Sequence, residues 1–281
     1  MDKGKSIKEL LDFGIINIDK PSGPTSFQVS QYVKESLGLS KTSHLGTLDP
    51  QVSGVLPIAL NRACRLNDYL IHKDKTYVGI ISVHKDLEKD ELQKESNKFL
   101  GKITQLPPVR SSVKRAFRER EVKHFEILEK SGKNFLFITK VQAGTYIRKL
   151  SSDLGDKIGG AHMLELRRTE AGIFNEKTSI TMYEFDKIVE EHKKGNSEEL
   201  RKSIVSGEII SNIMPKIKIR KDVVKKVLTG SPIFRSFLAE EPDKSINSRD
   251  KVVVYSDNKF IGCYEYINSK DLIAKPEFVF N

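Results

Sequence analysis

Apolar residues along this chain fall into two rhythms. From Phe13 to Ile18 (FGIINI) they run almost unbroken, until DKPSGPTS, with two prolines and a glycine, forces a loop. From Ser26 the rhythm lengthens: Phe27, Val29, Val33 and Leu37 approximate helical spacing, and Gly38 supplies the stop. Residues 54–60 predict a buried strand, and KTYVGIISV at 75–83, rich in β-branched and aromatic residues, a core strand. The charge-dense stretch 87–100 predicts an exposed helix. Residues 135–141 predict another strand, Gly144-Thr145 a turn, and 146–154 a helix with Ile147, Leu150 and Leu154 on one face. The polar stretch 178–208 predicts a surface helix and loop, with a domain boundary soon after. From Met214 the pattern restarts with a strand (PKIKI) and a helix opened by Asp222 and closed by Gly230. Two strands follow (DKVVVYS and FIGCYEY), joined by the turn Asp257-Asn258. Mixed strands and helices of this kind imply an α+β class.

A length of 281 residues suits one large domain plus a small one, and 38% hydrophobic with 31% charged residues describes a chain that folds throughout. Charge adds a partner: a formal +10 and a pI near 9.3 point to a polyanion, nucleic acid ahead of a membrane surface. No apolar run approaches the roughly 20 residues that span a bilayer, and MDKGKSIKEL has no apolar signal core, so a cytoplasmic protein is expected. Cys64 and Cys263 lie far apart in apolar settings and read as reduced core residues. The six histidines are scattered, so no protein-held metal is expected. Chemistry then falls to carboxylate, phenol, guanidinium or imidazole groups.

In SHLGTLDPQVSGVLPIAL, Asp49-Pro50 is by itself an ordinary helix or turn start. Gly46 and Gly54, however, permit close backbone approach, and His44 adds a titratable ring upstream. Thr145 as an N-cap would put Arg148 in a first helical turn, where the dipole disfavours a cation. Arg148 is then either a surface residue or one aimed at a carboxylate or phosphate. Tyr77 reads as a packing tyrosine or as a phenol stacked on a base. His162 and Leu166 read as structural, and Arg167-Arg168 as a solvated pair. Between 107 and 123, Arg110, Lys114, Arg115, Arg118, Arg120 and Lys123 follow a rigid Pro-Pro with Phe117 among them and Glu119 and Glu121 diluting them. This density suits an arm that grips phosphates.

Six segments occur in an order that resembles the TruB and dyskerin family of pseudouridine synthases: INIDKPSGPTS at 16–26, HLGTLDPQVSGVLPIAL at 44–60, KTYVG at 75–79, LPPVRSSVKR at 106–115, AGTYIRKLSSDLG at 143–155 and GAHMLELRRTEAGIF at 160–174. The fourth and fifth resemble the archaeal and eukaryotic dyskerin branch more than bacterial TruB. In two places the chain departs from the pattern. Leu45 stands where the family has a small residue, and SPIFRSFLAEEPDKS at 231–245 replaces a small-residue loop.

The resemblance implies a mixed, mainly antiparallel catalytic domain over 1–212 and a small β-barrel PUA-like RNA-binding domain over 213–281. It implies isomerisation of uridine to its C-glycoside without a cofactor, with Asp49 as the nucleophile that adds to C1′ of the ribose or C6 of the ring. Arg148 would pair with that carboxylate, Tyr77 would stack on the base and help move the C5 proton, His44 and Leu166 would hold a flipped nucleotide, and Lys20 would support the site. The basic arm would hold the RNA. Implied partners are a box H/ACA guide RNA, rRNA, a Nop-type small protein, a glycine-arginine-rich-type protein and a kink-turn-binding ribosomal-type protein. A stand-alone synthase acting on the T-loop of tRNA and a catalytically silent RNA-binding scaffold are the rival readings.

Overall fold

The computed structural model describes residues 4–107 and 114–281, which divide into two compact units, Met1–Val205 and Ser206–Asn281. Arg110 lies outside the described residues. The strands of the first sheet are β1 (Gly14–Lys20), β2 (Thr42–His44), β3 (Ser53–Leu60), β4 (Lys75–Val83), β5 (Gly101–Gln105), β6 (Arg118–Ser131), β7 (Asn134–Val141), β8 (Ala161–Ala171), β9 (Phe174–Asn175), β10 (Ile180–Thr181) and β11 (Ile204–Ser206). The helices around it are α1 (Ile7–Asp12), α2 (Ser26–Ser36), α3 (Asn67–Leu70), α4 (Lys89–Asn97), α5 (Ile147–Ile158), α6 (Met182–Lys193) and α7 (Glu198–Ser203).

The main path of the sheet runs β10-β1-β3-β8-β4-β7-β6-β5, with β11 beside β1, β2 beside β3 and β9 beside β8. Most neighbours are antiparallel, while β3 with β8 and β1 with β10 are parallel. A parallel pair needs a long crossover, and the one between β3 and β8 takes in β4 to β7 and α5. Strand β3 is buried along nearly its whole length, as an apolar run inside a sheet requires. Helix α5 turns Ile147, Leu150 and Leu154 into the core against β8, as their spacing predicts, and each buried Leu is worth roughly 1.5–3 kcal/mol.

Three expectations change. Helix α2 is capped by Thr25 and buries Val29 and Val33, but Phe27 is 68% exposed, because two residues before Val29 is the opposite side of a helix. The stretch 178–208 holds two helices rather than one, and α6 and α7 bury Phe185, Val189 and Leu200. The basic run ends in strand, with Arg118, Arg120 and Lys123 on β6. That strand escapes a period-two reading because bulges at Val122/His124 and Ile127/Glu129 break its alternation.

In the second unit β12 (Lys216–Lys218), β13 (Ile233–Phe234), β14 (Lys251–Ser256), β15 (Lys259–Tyr266) and β16 (Leu272–Val279) form a sheet in the order β12-β14-β15-β16-β13, with α8 (Val224–Leu228) packed on β15. Its core is built on Ile217, Val227, Ile233, Val252, Val254, Ile261 and Ile273. The β14–β15 turn puts Asp257 at φ +49°, a conformation Asp tolerates. Among the described residues no helix is long and apolar enough to cross a membrane.

Candidate active site

The turn carrying Asp49 is fastened from below. Val52 N donates to Asp49 O at 3.0 Å, and Leu48 N donates to Ser26 Oγ at 2.7 Å, where α2 begins. Pro50 O accepts from Gly23 N at 2.8 Å and from Lys20 Nζ at 3.1 Å. Lys20 is wholly buried and also donates to Pro21 O and Pro24 O at 2.7 and 2.8 Å, so all three ammonium hydrogens are committed to backbone. Burial lowers its pKa, a shift that Asp49 opposes and Arg168 reinforces.

Above this turn, Arg148 in the first turn of α5 brings Nη2 to 2.7 Å from Asp49 Oδ2. Both side chains are about half exposed, so the pair contributes only ~0–1 kcal/mol to stability. Its geometry is what matters: a carboxylate held by a cation at the mouth of a cleft of about 590 Å³. Thr145 is not the cap of this helix, because its hydroxyl turns back to Gln142 O at 2.7 Å. The capping position is Tyr146, whose N–H donates to Gln105 Oε1 at 3.0 Å and whose carbonyl accepts from Gln105 Nε2 at 3.2 Å.

Of the residues expected at the site, the cleft wall unites Asp49, Tyr77, Arg148, Leu166 and Arg120. His44 and Lys20 are not on that wall. His44 Nε2 meets Thr47 Oγ1 at 3.1 Å, and burial, then Arg168, lowers its pKa, which favours a neutral ring. Leu45 is buried and bonded through its N–H to Pro57 O, off the cleft wall. Lys114 and Arg115 are exposed, and Arg118 donates to Lys114 O at 3.3 Å. Arg120 packs over Gly144, where a Cβ would lie 3.2 Å from its guanidinium, and its buried Nε has no hydrogen-bond partner among the described residues.

Two cleft residues escaped the sequence reading. Arg168 is 1% exposed, not solvated: Nε donates to Val55 O at 2.8 Å and Nη2 to Gly46 O at 3.0 Å. Its neighbour Arg167 holds both oxygens of Asp19 at 2.8 and 2.9 Å and Glu176 at 3.1 Å. Lys75 is 5% exposed, donates to Ile71 O and Lys73 O at 2.5 Å each, and is pushed down to about 8 by burial and then by Arg168. Strand alternation was the available signal, since Lys75 lies two residues before Tyr77 on β4 and Arg168 two after Leu166 on β8.

The model of the TruB family pseudouridylate synthase N-terminal domain matches residues 34–147, and that of the tRNA pseudouridylate synthase B C-terminal domain matches 148–210. The chain is 41% identical over 254 residues to the probable tRNA pseudouridine synthase B of Methanopyrus kandleri, covering 90% of this chain and 75% of that one. Identity to the corresponding Thermococcus gammatolerans protein is 44% over 226 residues, covering 79% and 68%. Among solved structures it resembles a chain of a Cbf5-Nop10-Gar1 complex, with TM-score 0.91 and 36% identity over 99% of this chain and 88% of that one. It also resembles a chain of an H/ACA RNP bound to a substrate RNA containing 2′-deoxyuridine, with TM-score 0.89, 34% identity and the same coverage. These likenesses run through the second unit, whose curled five-stranded sheet has the PUA-like form the sequence implied. With a mixed, mainly antiparallel sheet presenting an Asp–Arg pair at a cleft, and with matches along most of its length, the chain belongs to the TruB family of pseudouridylate synthases and is an RNA-modifying isomerase.

Proposed function

We propose that this chain is the catalytic subunit of a guide-RNA-directed H/ACA ribonucleoprotein that isomerises selected uridines of rRNA in the cytoplasm. The observation that carries this reading is a likeness at TM-score 0.91 and 36% identity, over 99% of the chain, to a protein solved with Nop10 and Gar1. Its partners are then the guide RNA, a Nop-type small protein, a glycine-arginine-rich-type protein and a kink-turn-binding ribosomal-type protein. Residues 1–212 do the chemistry, and the PUA-like residues 213–281 bind RNA.

In this reading Asp49 adds to C1′ or C6 of the target nucleotide, which divides glycosidic cleavage and C-glycoside formation into easier steps. Arg148, 2.7 Å away, orients the carboxylate. Tyr77 stacks on the base, Leu166 and His44 hold the flipped nucleotide, and Lys20 braces the turn through Pro50 O. Arg110, Lys114, Arg115, Arg118 and Arg120 grip the RNA. The cleft wall carries Lys75, Arg120, Arg148 and Arg168 against the one carboxylate Asp49, a surplus of positive charge suited to the phosphates on either side of a flipped nucleotide.

A stand-alone synthase acting on tRNA is favoured by one observation, the tRNA pseudouridylate synthase B model that matches 148–210. Tritium release from RNA labelled at uracil C5 separates the readings. Release that requires guide RNA and partner proteins and vanishes with Asp49→Asn is expected. Release from tRNA by the free chain would establish the stand-alone enzyme, and RNA binding with no release under any condition would leave a silent scaffold.

A further inference from the structure

Residues 71–74, which link α3 to β4, are held more firmly than a connecting loop requires. Lys75 Nζ closes on them, donating at 2.5 Å each to Ile71 O and Lys73 O, the carbonyls on either side of His72. Asp74 is fixed twice more: its carbonyl accepts from Gly172 N at 2.9 Å, and its carboxylate takes Lys123 Nζ of β6 at 2.8 Å. Ile71 N donates to Asn67 O at 2.9 Å and ties the turn back to α3. Burying an ammonium group is costly, so the turn that Lys75 shapes is informative.

What this turn brings to the cleft wall is His72. The residue is exposed and lines the same cleft as Asp49 and Tyr77, and among the described residues its ring has no hydrogen bond or ion pair. The chain around it offers no spare anion. Asp74 is held by Lys123, and Asp49, the one carboxylate on the cleft wall, by Arg148 of α5. The other charges on that wall are positive: Lys75 of β4, Arg120 of β6 and Arg168 of β8. Imidazole is the side chain whose ordinary titration falls between pH 5 and 8, and once protonated both of its nitrogens donate. Its acceptor must then arrive with the ligand, and RNA supplies one phosphate per nucleotide.

We propose that His72 is a further substrate-binding residue, whose protonated ring donates a hydrogen bond to a phosphate of the RNA strand beside the nucleotide held in the cleft. The flipped base itself is left to Tyr77. Binding that favours the protonated ring takes up a proton, so this contact strengthens as pH falls. The inference rests on the cleft being the site of isomerisation.

The test is the substrate-RNA affinity of the reconstituted ribonucleoprotein at pH 5.5 and 7.5 for wild type, His72→Gln and His72→Phe. Single-turnover tritium release and melting temperature are measured alongside, so that folded, active complexes are compared. Both pH values lie on the acid side of the value near 8 at which burial makes Lys75 give up its proton. The ratio of wild-type to His72→Gln affinity cancels guide pairing and the titration of other groups, His44 included. That ratio is expected to be about threefold or more larger at pH 5.5 than at pH 7.5, with release at saturating RNA within about twofold of wild type. A smaller rise would overturn the inference. A ratio of one at both pH values would take His72 off the RNA, and a pH-independent loss that His72→Phe restores would make the ring a stacking surface for a base. Slower release at unchanged affinity would also overturn it, since the ring would then act at the reacting atoms. A wild-type complex that binds RNA without releasing tritium would instead remove the cleft's assignment, and this inference with it, before any variant is compared.

Discussion

Gly54 is where the sheet and the Asp49 turn press hardest on each other, and adding one carbon there should be costly. Gly54 sits beside Arg168 in the parallel β3–β8 ladder at φ +106°. A Cβ would stand 2.1 Å from Arg168 O, 2.8 Å from its N and 2.9 Å from its C. These atoms are backbone and cannot swing aside, so the strands must part by about 1 Å to restore van der Waals contact. Forcing Ala into this backbone conformation costs about 1–3 kcal/mol. Overpacking against a rigid neighbour adds a further ~1–3 kcal/mol. Gly54→Ala should therefore lose about 2–6 kcal/mol, a large share of the roughly 5–15 kcal/mol that holds a domain together.

Gly23→Ala separates the two contributions, because Gly23 has φ +119° but open space where its Cβ would go. It should lose only the backbone share. Urea unfolding of both variants, with m-values checked for constancy, gives the numbers. Single-turnover release should fall for Gly54→Ala, because parting β3 from β8 pulls Arg168 away from Val55 O. A Gly54→Ala protein within about 0.5 kcal/mol of wild type would refute the reasoning, since an ordinary surface change is that small.

Arg148→Ala should lower turnover by orders of magnitude while melting temperature and RNA affinity barely move, because the half-exposed pair with Asp49 adds little stability; equal losses of affinity and rate would count against its orienting role. Lys75 titrates near 8 in the folded chain against roughly 10.4 unfolded, so between those values unfolding takes up a proton and stability should rise with pH. Urea midpoints at pH 7.5, 9 and 10 should climb in the wild type and climb less in Lys75→Met; parallel curves would mean that Lys75 is not the source. Lys114→Ala with Arg115→Ala should weaken RNA binding across sequences and flatten log K against log salt by about two phosphate contacts, and an unchanged slope would take these residues off the RNA.

Much of this site was legible because it is written in local patterns. Strand β4 begins and ends where KTYVGIISV predicts, and Arg148 falls in a first helical turn beside an anion, the circumstance that makes its wrong-signed position intelligible. What stayed hidden depends on neighbours distant in sequence. Arg167 and Arg168 look alike in a string of letters, yet one grips Asp19 at the surface and the other is buried, since adjacent strand residues point to opposite faces. Strand β6 was obscured by its bulges. Strand β16 was missed because Pro276 argues against a strand, yet the proline is tolerated where the short β13 pairs only with Ala274 and Leu272.

The parallel seating of β3 beside β8 also fixes when the enzyme can form. A nascent chain that has emerged through Leu60 has made Asp49 and its whole turn and has β2 beside Ile58, Ala59 and Leu60, yet the strand that pairs with Ser53 and Gly54, and the guanidinium that ties down Gly46, arrive only with residues 161–171. Until then only the start of this buried strand, Ser53 to Val55, lacks its neighbour on that side, a short open edge of the kind that pairs with other chains. A polypeptide halted before β8 would carry the Asp49 turn without the Arg168 bonds to Gly46 O and Val55 O that fasten it.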